Sequence, residues 1–129
     1  TMLGSGGFIV MYEDTSIVKN LWNFTRFYHH ESCGQCSPCR EGTGWMEKIL
    51  HNIEYGKGKM SDIDLLWDIQ RKIEGNTSCP LGDAAAWPVA AAIRHFRDEF
   101  EWHVLNPDES QKRNFGLAHY ADPIGVAIG

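Results

Sequence analysis

Apolar residues recur at helical spacing in four stretches of the chain, and each stretch carries start or stop signals. Ile17, Leu21, Phe24 and Tyr28 follow one another at 4-3-4 spacing, with Val18, Trp22 and Thr25 beside them. That stripe covers one face of a helix. Asp14 and Thr15 stand ahead of it as candidate caps, and the pattern ends near His30. A second helix takes Pro38 into its first turn and presents Met46, Ile49, Leu50 and Ile53 before Gly56 and Gly58 end it. The third is announced by Ser-Asp-Ile-Asp at 61–64, a capping-box pattern with Asp64 in place of Glu. It carries Ile63, Leu66, Ile69 and Ile73 and closes at Gly75. The fourth has Pro88 near its start, then Val89, Ile93, Phe96, Phe100 and Val104, and Asn-Pro-Asp-Glu at 106–109 stops it. The apolar stripes read as core.

Outside these helices, Phe8–Tyr12 is a short β-like run after a glycine loop, and the tail to Gly129 has little periodicity. The predicted fold is all-α, a four-helix bundle with a short N-terminal strand or extended segment. Its expected organisation is a glycine-rich linker and strand at 1–13, a helical bundle at 14–105 and an irregular tail at 106–129.

Composition narrows the function. A chain of 129 residues makes one domain that buries roughly two-thirds of its unfolded surface. Its 43 % hydrophobic and 22 % charged residues are ordinary for a globular protein. A net charge of −5 offers no general surface for nucleic acid. No apolar run approaches the ~20 residues that span a bilayer, so no membrane insertion is expected. No secretory signal opens the chain; Thr1 and the Gly-Ser-Gly-Gly that soon follows read as the middle of something longer.

The chemistry lies in the cysteines. Glu-Ser-Cys-Gly-Gln-Cys-Ser-Pro-Cys-Arg-Glu-Gly-Thr at 31–43 holds Cys33, Cys36 and Cys39; Cys79, followed by Pro80, lies 40 positions beyond Cys39. Two disulfides would force one bridge inside the triplet, and nothing marks the chain as secreted. Structural zinc sites usually show two separated pairs, whereas the split here is three and one. An iron–sulfur cube needs one thiolate at each of four irons. A CxxCxxC loop can curl around three corners while a distant cysteine reaches the fourth. The residues therefore favour a [4Fe-4S] cluster on Cys33, Cys36, Cys39 and Cys79, with zinc and disulfides as the other readings. In an up-down bundle, the loop between the first two helices and the loop between the last two lie at the same end.

Other residues are weighed against blander roles. His29 and His30 read as polar residues at a helix end rather than ligands. His51, His95, His103 and His119 are scattered and mark no site. Arg40 either offsets cluster charge or pairs with Glu41. Gly34 and Gly42 would let the backbone approach a cube. Asp83 is expected to cap the helix after Cys79, and Trp22, Trp45 and Trp87 are expected in the core. Leu-Gly-Ser-Gly-Gly-Phe at 3–8 opens no helix after a strand, so it is a linker turn rather than a dinucleotide fingerprint.

The cysteine segment, Cys-Pro-Leu-Gly-Asp-Ala-Ala-Ala-Trp-Pro-Val at 79–89 and the helix leading into Cys33 together resemble the C-terminal iron–sulfur domain of the NADH-binding flavoprotein subunit of respiratory complex I. The resemblance runs from about Gly4 to about Phe100. In that family NADH gives a hydride to FMN, and single electrons pass on to the [4Fe-4S] cluster of this domain. The resemblance implies that Cys33, Cys36, Cys39 and Cys79 are the cluster ligands and that FMN and NAD belong to the full-length parent. The implied partners are the preceding FMN/NADH-binding domain and neighbouring iron–sulfur subunits. The implied location is cytoplasmic, peripheral to the inner membrane, or the matrix side in a mitochondrion. This piece alone is expected to be inactive on NADH. A diaphorase subunit of an NAD-dependent hydrogenase or formate dehydrogenase is the related alternative. A structural zinc module or a docking platform is the alternative of another class.

Overall fold

Each helix starts where a side chain or proline can serve its first turn, as a computed structural model that describes residues 4, 6–12 and 15–108 shows. Helix α1 (Ile17–Glu31) is capped by Ser16, whose Oγ accepts the Lys19 N–H at 3.1 Å. The carboxylate of Glu99 adds to this by accepting the Ile17 N–H at 2.7 Å, a favourable place for negative charge. The cap is thus one residue beyond Thr15, and Asp14 lies outside the described residues. Helix α2 (Ser37–Glu54) takes Pro38 into its first turn. Gly56, at φ +69°, turns the chain after Tyr55, a conformation that disfavours residues with a side chain.

Helix α3 (Met60–Ile73) begins two residues before the expected box. Asp62, not Asp64, reaches back to accept the Lys59 N–H at 2.8 Å. Helix α4 (Leu81–Leu105) carries Pro88 within it and departs from helical geometry at Phe96, φ −133° and ψ 27°. That break swings Phe96 out to solvent, so it leaves the predicted stripe. The turns beyond it bury Phe100 and His103.

The four stripes meet in one core. Val18 and Leu21 come from α1, and Met46, Leu50 and Ile53 from α2. Ile63, Leu66, Ile69 and Ile73 come from α3, and Ala85, Ala86, Val89, Ala92, Ile93 and Phe100 from α4. Each helix packs on its neighbours in sequence, and α1 packs on α4 to close the ring. The small residues of α4 and Gly42 of α2 allow close approach; a Cβ on Gly42 would lie 2.6 Å from Ile73 Cδ1. Gly42 therefore serves the α2–α3 contact rather than a cluster. Trp22 packs against the core, but Trp45 is 53 % exposed and so is not a core residue. Trp87 is half-buried, with its indole N–H donating to Glu74 Oε1 at 2.9 Å.

The described residues form an all-α bundle. Phe8–Tyr12 forms no strand: no other strand stands beside it among the described residues, and its side chains are exposed, Phe8 by 80 %. Of the expected tail, residues 109–129 lie outside the described residues. The up-down order places the α1–α2 and α3–α4 loops at one end. At the other end Ser16, Glu54 and His103 are buried together, with Ser16 Oγ 3.4 Å from both Glu54 Oε2 and His103 Nε2.

Candidate metal centre

Two loops make the cysteine end of the bundle. In the first, Ser32 ends α1 with extended geometry while its N–H still bonds Tyr28 O at 3.0 Å. Gly34 follows at φ +76° and sends the chain back toward α2. Cys36 is the N-cap of α2, and Cys39 lies in its first turn, 6 % exposed. Thr43 Oγ1 donates to Cys39 O at 2.7 Å and holds that turn. Arg40 laces the loop: Nη1 donates to Gly34 O at 2.8 Å, Nη2 to Ser37 Oγ at 3.3 Å and Nε to Glu41 Oε1 at 3.1 Å. Arg40 thus pairs with Glu41, one of the two roles expected of it, and its charge also reaches Cys36.

The second loop is short and tight. Gly75, at φ +75°, leaves α3, and its N–H donates to Asp83 Oδ1 at 2.8 Å. Asp83 therefore reaches back across the loop instead of capping its own helix. Thr77 Oγ1 donates to Cys79 O at 3.0 Å, and a Cβ on Gly82 would crowd the same Thr77 oxygen and lie 2.5 Å from Thr77 Cγ2. This packing fixes the chain around Cys79, one residue before the Pro80 cap of α4.

The loops touch. The Ser78 N–H donates to Cys36 Sγ at 3.3 Å, a contact between residues 42 positions apart. That bond, a second from the Ser78 side chain and, to a lesser degree, the Arg40 guanidinium favour the thiolate and outweigh burial, so the Cys36 thiol lies below its ordinary pKa. Ser32 Oγ lies 3.2 Å from Cys39 Sγ. All four cysteines are free; Cys33 and Cys79 are exposed, Cys36 is half-buried and Cys39 is buried. The two histidines ahead of the loop are engaged elsewhere: His29 Nδ1 meets Glu47, and His30 Nδ1 meets Glu31.

The donor set bears on what can bind. Among the described residues, no three His, Cys, Asp or Glu side chains gather around a point as ligands of one ion. A cube makes a different demand, one thiolate at each of four irons, with sulfurs standing apart around it. Four free thiols on two touching loops, with amide, hydroxyl and guanidinium donors beside two of them, suit that demand. Cys36, Cys39 and Cys79 also sit at the N-terminal ends of α2 and α4, where partial positive charge favours an anionic group. Nothing in the sequence marks Ser32 and Ser78 for these contacts, except that each adjoins a cysteine.

Residues 19–103 match the model of the family described as NADH-ubiquinone oxidoreductase-F iron-sulfur binding region. The chain is 50 % identical over 102 residues to an F-type subunit of the NADH-quinone oxidoreductase of Rhizobium meliloti, covering 79 % of this chain and 24 % of the relative. It is 48 % identical over 116 residues to the corresponding F-type subunit of Rickettsia typhi, covering 90 % and 26 %. The chain thus spans about a quarter of the length of these curated relatives. Its fold is similar to a chain of an NAD+-reducing [NiFe]-hydrogenase solved in the H2-reduced state, with TM-score 0.70 and 33 % identity over 74 % of this chain and 16 % of that one. A second structure of such a hydrogenase, air-oxidized, gives TM-score 0.71 and 29 % identity over 88 % and 22 %. The sequence match and the thiol-bearing bundle converge, and the chain belongs to the NADH-ubiquinone oxidoreductase-F iron-sulfur binding region family.

Proposed function

We propose that this domain carries single electrons within an NADH-oxidising flavoprotein subunit, through one [4Fe-4S] cluster held by Cys33, Cys36, Cys39 and Cys79. The contact between Ser78 N–H and Cys36 Sγ carries the reading, because it joins the triplet loop to the loop that delivers Cys79. When bound, the cluster takes up and gives back one electron at a time. The protein holds it and sets its surroundings. Cys39 anchors the inner side, while Cys33 and Cys79 stand at the surface where a redox partner can approach. Arg40, the Ser78 amide and the starts of α2 and α4 counter negative charge on the thiolates.

The hydride chemistry with NAD and FMN belongs to the remaining three-quarters of the parent chain, whose FMN/NADH-binding domain is the nearest partner. Neighbouring iron–sulfur subunits of a respiratory complex are the onward partners. The domain lies on the cytoplasmic face of the inner membrane, or on the matrix face in a mitochondrion. Consistent with a peripheral place, no described helix is long and apolar enough to cross a membrane. The alternative, a diaphorase subunit, draws on the likeness to NAD+-reducing hydrogenase structures, which supports it only as a related family. It shares the same site and the same role.

Anaerobic preparation with iron tests the proposal. The protein should be brown, bleach with dithionite and contain about four irons and four sulfides per chain. Stoichiometric zinc without sulfide would replace electron transfer by the structural zinc reading. The isolated chain should also fail to reduce ferricyanide with NADH, and turnover would place a flavin or nicotinamide site within these residues.

A further inference from the structure

We propose that the Ser32 hydroxyl donates a hydrogen bond to the Cys39 sulfur and thereby raises the reduction potential of the site, a role that rests on Cys39 being a ligand. Three observations converge on this hydroxyl. Its oxygen lies 3.2 Å from Cys39 Sγ. The same oxygen accepts the Gly34 N–H at 3.3 Å. Cys39 is 6 % exposed and Ser32 is half-buried, so the contact is partly withdrawn from water.

The direction of the bond follows from proton counting. In the free thiol form either group could donate. An iron-bound thiolate has no proton and can only accept. The Ser32 oxygen already accepts from Gly34, which leaves its own hydrogen to point at the sulfur. The result is a two-step relay, amide to hydroxyl to thiolate, in which each bond polarises the next.

The surrounding chain holds the hydroxyl in place. The Ser32 N–H is tied to Tyr28 O at 3.0 Å, so the residue rides on the end of α1. Gly34 is held from the other side by Arg40 Nη1 on its carbonyl at 2.8 Å. The Gly34 amide meeting Ser32 Oγ two residues earlier is a serine turn, with the left-handed glycine, at φ +76°, reversing the chain. A side chain present only to end α1 would not need to face the sulfur.

The electronic effect has a definite sign. An added electron spreads negative charge onto the ligand sulfurs, and a donor stabilises that form more than the oxidised one. The partial burial of the contact strengthens the effect. Removing the hydroxyl should therefore lower the midpoint potential. The Ser78 amide and side chain act alike on Cys36, while Ser32 is the side-chain handle on Cys39.

The experiment uses the full-length parent chain, assembled with its cluster, in a redox titration followed by electron paramagnetic resonance. Ser32→Ala should keep a four-iron signal and titrate at a lower potential, while Ser32→Thr, which retains the hydroxyl, should titrate with the unsubstituted protein. An unchanged midpoint in Ser32→Ala, or an equal fall in Ser32→Thr, overturns the proposal. Pulsed resonance on the unsubstituted protein moved briefly into D2O gives a second reading without any variant. A proton coupled to the reduced cluster should exchange at once, as hydroxyls do, and the absence of any such proton overturns the proposal even if Ser32→Ala loses its iron. A Cys39→Ala chain with an unchanged four-iron spectrum would instead fault the ligand assignment beneath it.

Discussion

The Ser78 N–H and the Cys36 sulfur lie 3.3 Å apart, and through them the two cysteine-bearing loops become one surface. Neither residue belongs to the apolar core. Their meeting is a consequence of helix packing, since α3 must bring the chain back along α2 before Ser78 can reach the α2 cap. The hydrophobic stripes and the candidate site are thus parts of one construction: burial aligns the helices, and the aligned helices bring the loop of Cys79 against the loop of the other three cysteines.

Gly82 tests how tightly that delivery is held. A methyl group there runs into Thr77 Oγ1 and meets Thr77 Cγ2 at 2.5 Å, and Thr77 in turn bonds the Cys79 carbonyl. Gly82→Ala should cost about 1–3 kcal/mol, as overpacking does, and displace the Cys79 loop. Cluster release to an iron chelator should be faster than in the unsubstituted protein. Equal release rates would mean that the loop tolerates the shift.

Leu66 probes the core away from the cysteines. It is fully buried on α3, among residues of the common core. Leu66→Ala should cost about 2–5 kcal/mol, measured by denaturant unfolding. All four thiols remain, so any loss of cluster would come from weakened packing alone. Ile53→Asp, which buries a charge at a fully enclosed position, should have a larger effect on both readings.

The stripes are legible in the sequence because 3.6-residue spacing is a local property. Ile63, Leu66, Ile69 and Ile73 all fall in the core they predict. The four cysteines stand out equally as candidates, since thiol spacing survives in one dimension, and the touch of their two loops agrees with that reading. Local competition hides the caps: Ser16 outdoes Thr15, and Asp62 is placed to close the turn expected of Asp64. Tertiary geometry hides the rest. Phe96 fits its stripe by spacing, yet the break in α4 turns it out. His103 reads as a scattered histidine, although it is fully buried between carboxylates of α2 and of α4 itself. Its position three residues after Phe100 is the available signal. Ser32 and Ser78 bear hydrogen-bond roles that spacing cannot express.

That buried polar end predicts opposed pH effects. Burial raises the Glu54 pKa above the ordinary carboxylate range, against smaller attractions from His103 and Lys19. Burial also pushes Glu99 upward, but its hydrogen bonds with His103 and the Val18 and Ile17 amides outweigh this and leave it lowered. Glu99 thus adds stability that is present above its unfolded-chain pKa and lost as pH falls through the lowered value. Glu54 acts the other way, adding stability at low pH that is lost as pH rises through its raised value. Glu99→Gln should therefore be less stable than the parent at neutral pH and approach it in acid. Glu54→Gln should match the parent in acid and gain on it as pH rises. Urea midpoints from about pH 2 to pH 8 check both, the acid end for Glu99 and the range above the ordinary carboxylate pKa for Glu54; parallel curves for either variant across its own window would contradict its assignment.

The most direct measurement is on Cys79→Ala. Cys33, Cys36 and Cys39 share one loop, whereas Cys79 lies 40 positions further on, and closing a flexible loop of that size costs about 3 kcal/mol. The folded bundle supplies that closure before any metal binds. The substitution leaves every core residue in place, so helical circular dichroism should survive. After anaerobic reconstitution, iron and sulfide analysis with electron paramagnetic resonance should show either a three-iron centre or no cluster. A Cys79→Ala protein with four irons and an unchanged four-iron spectrum would remove Cys79 from the site and contradict the account.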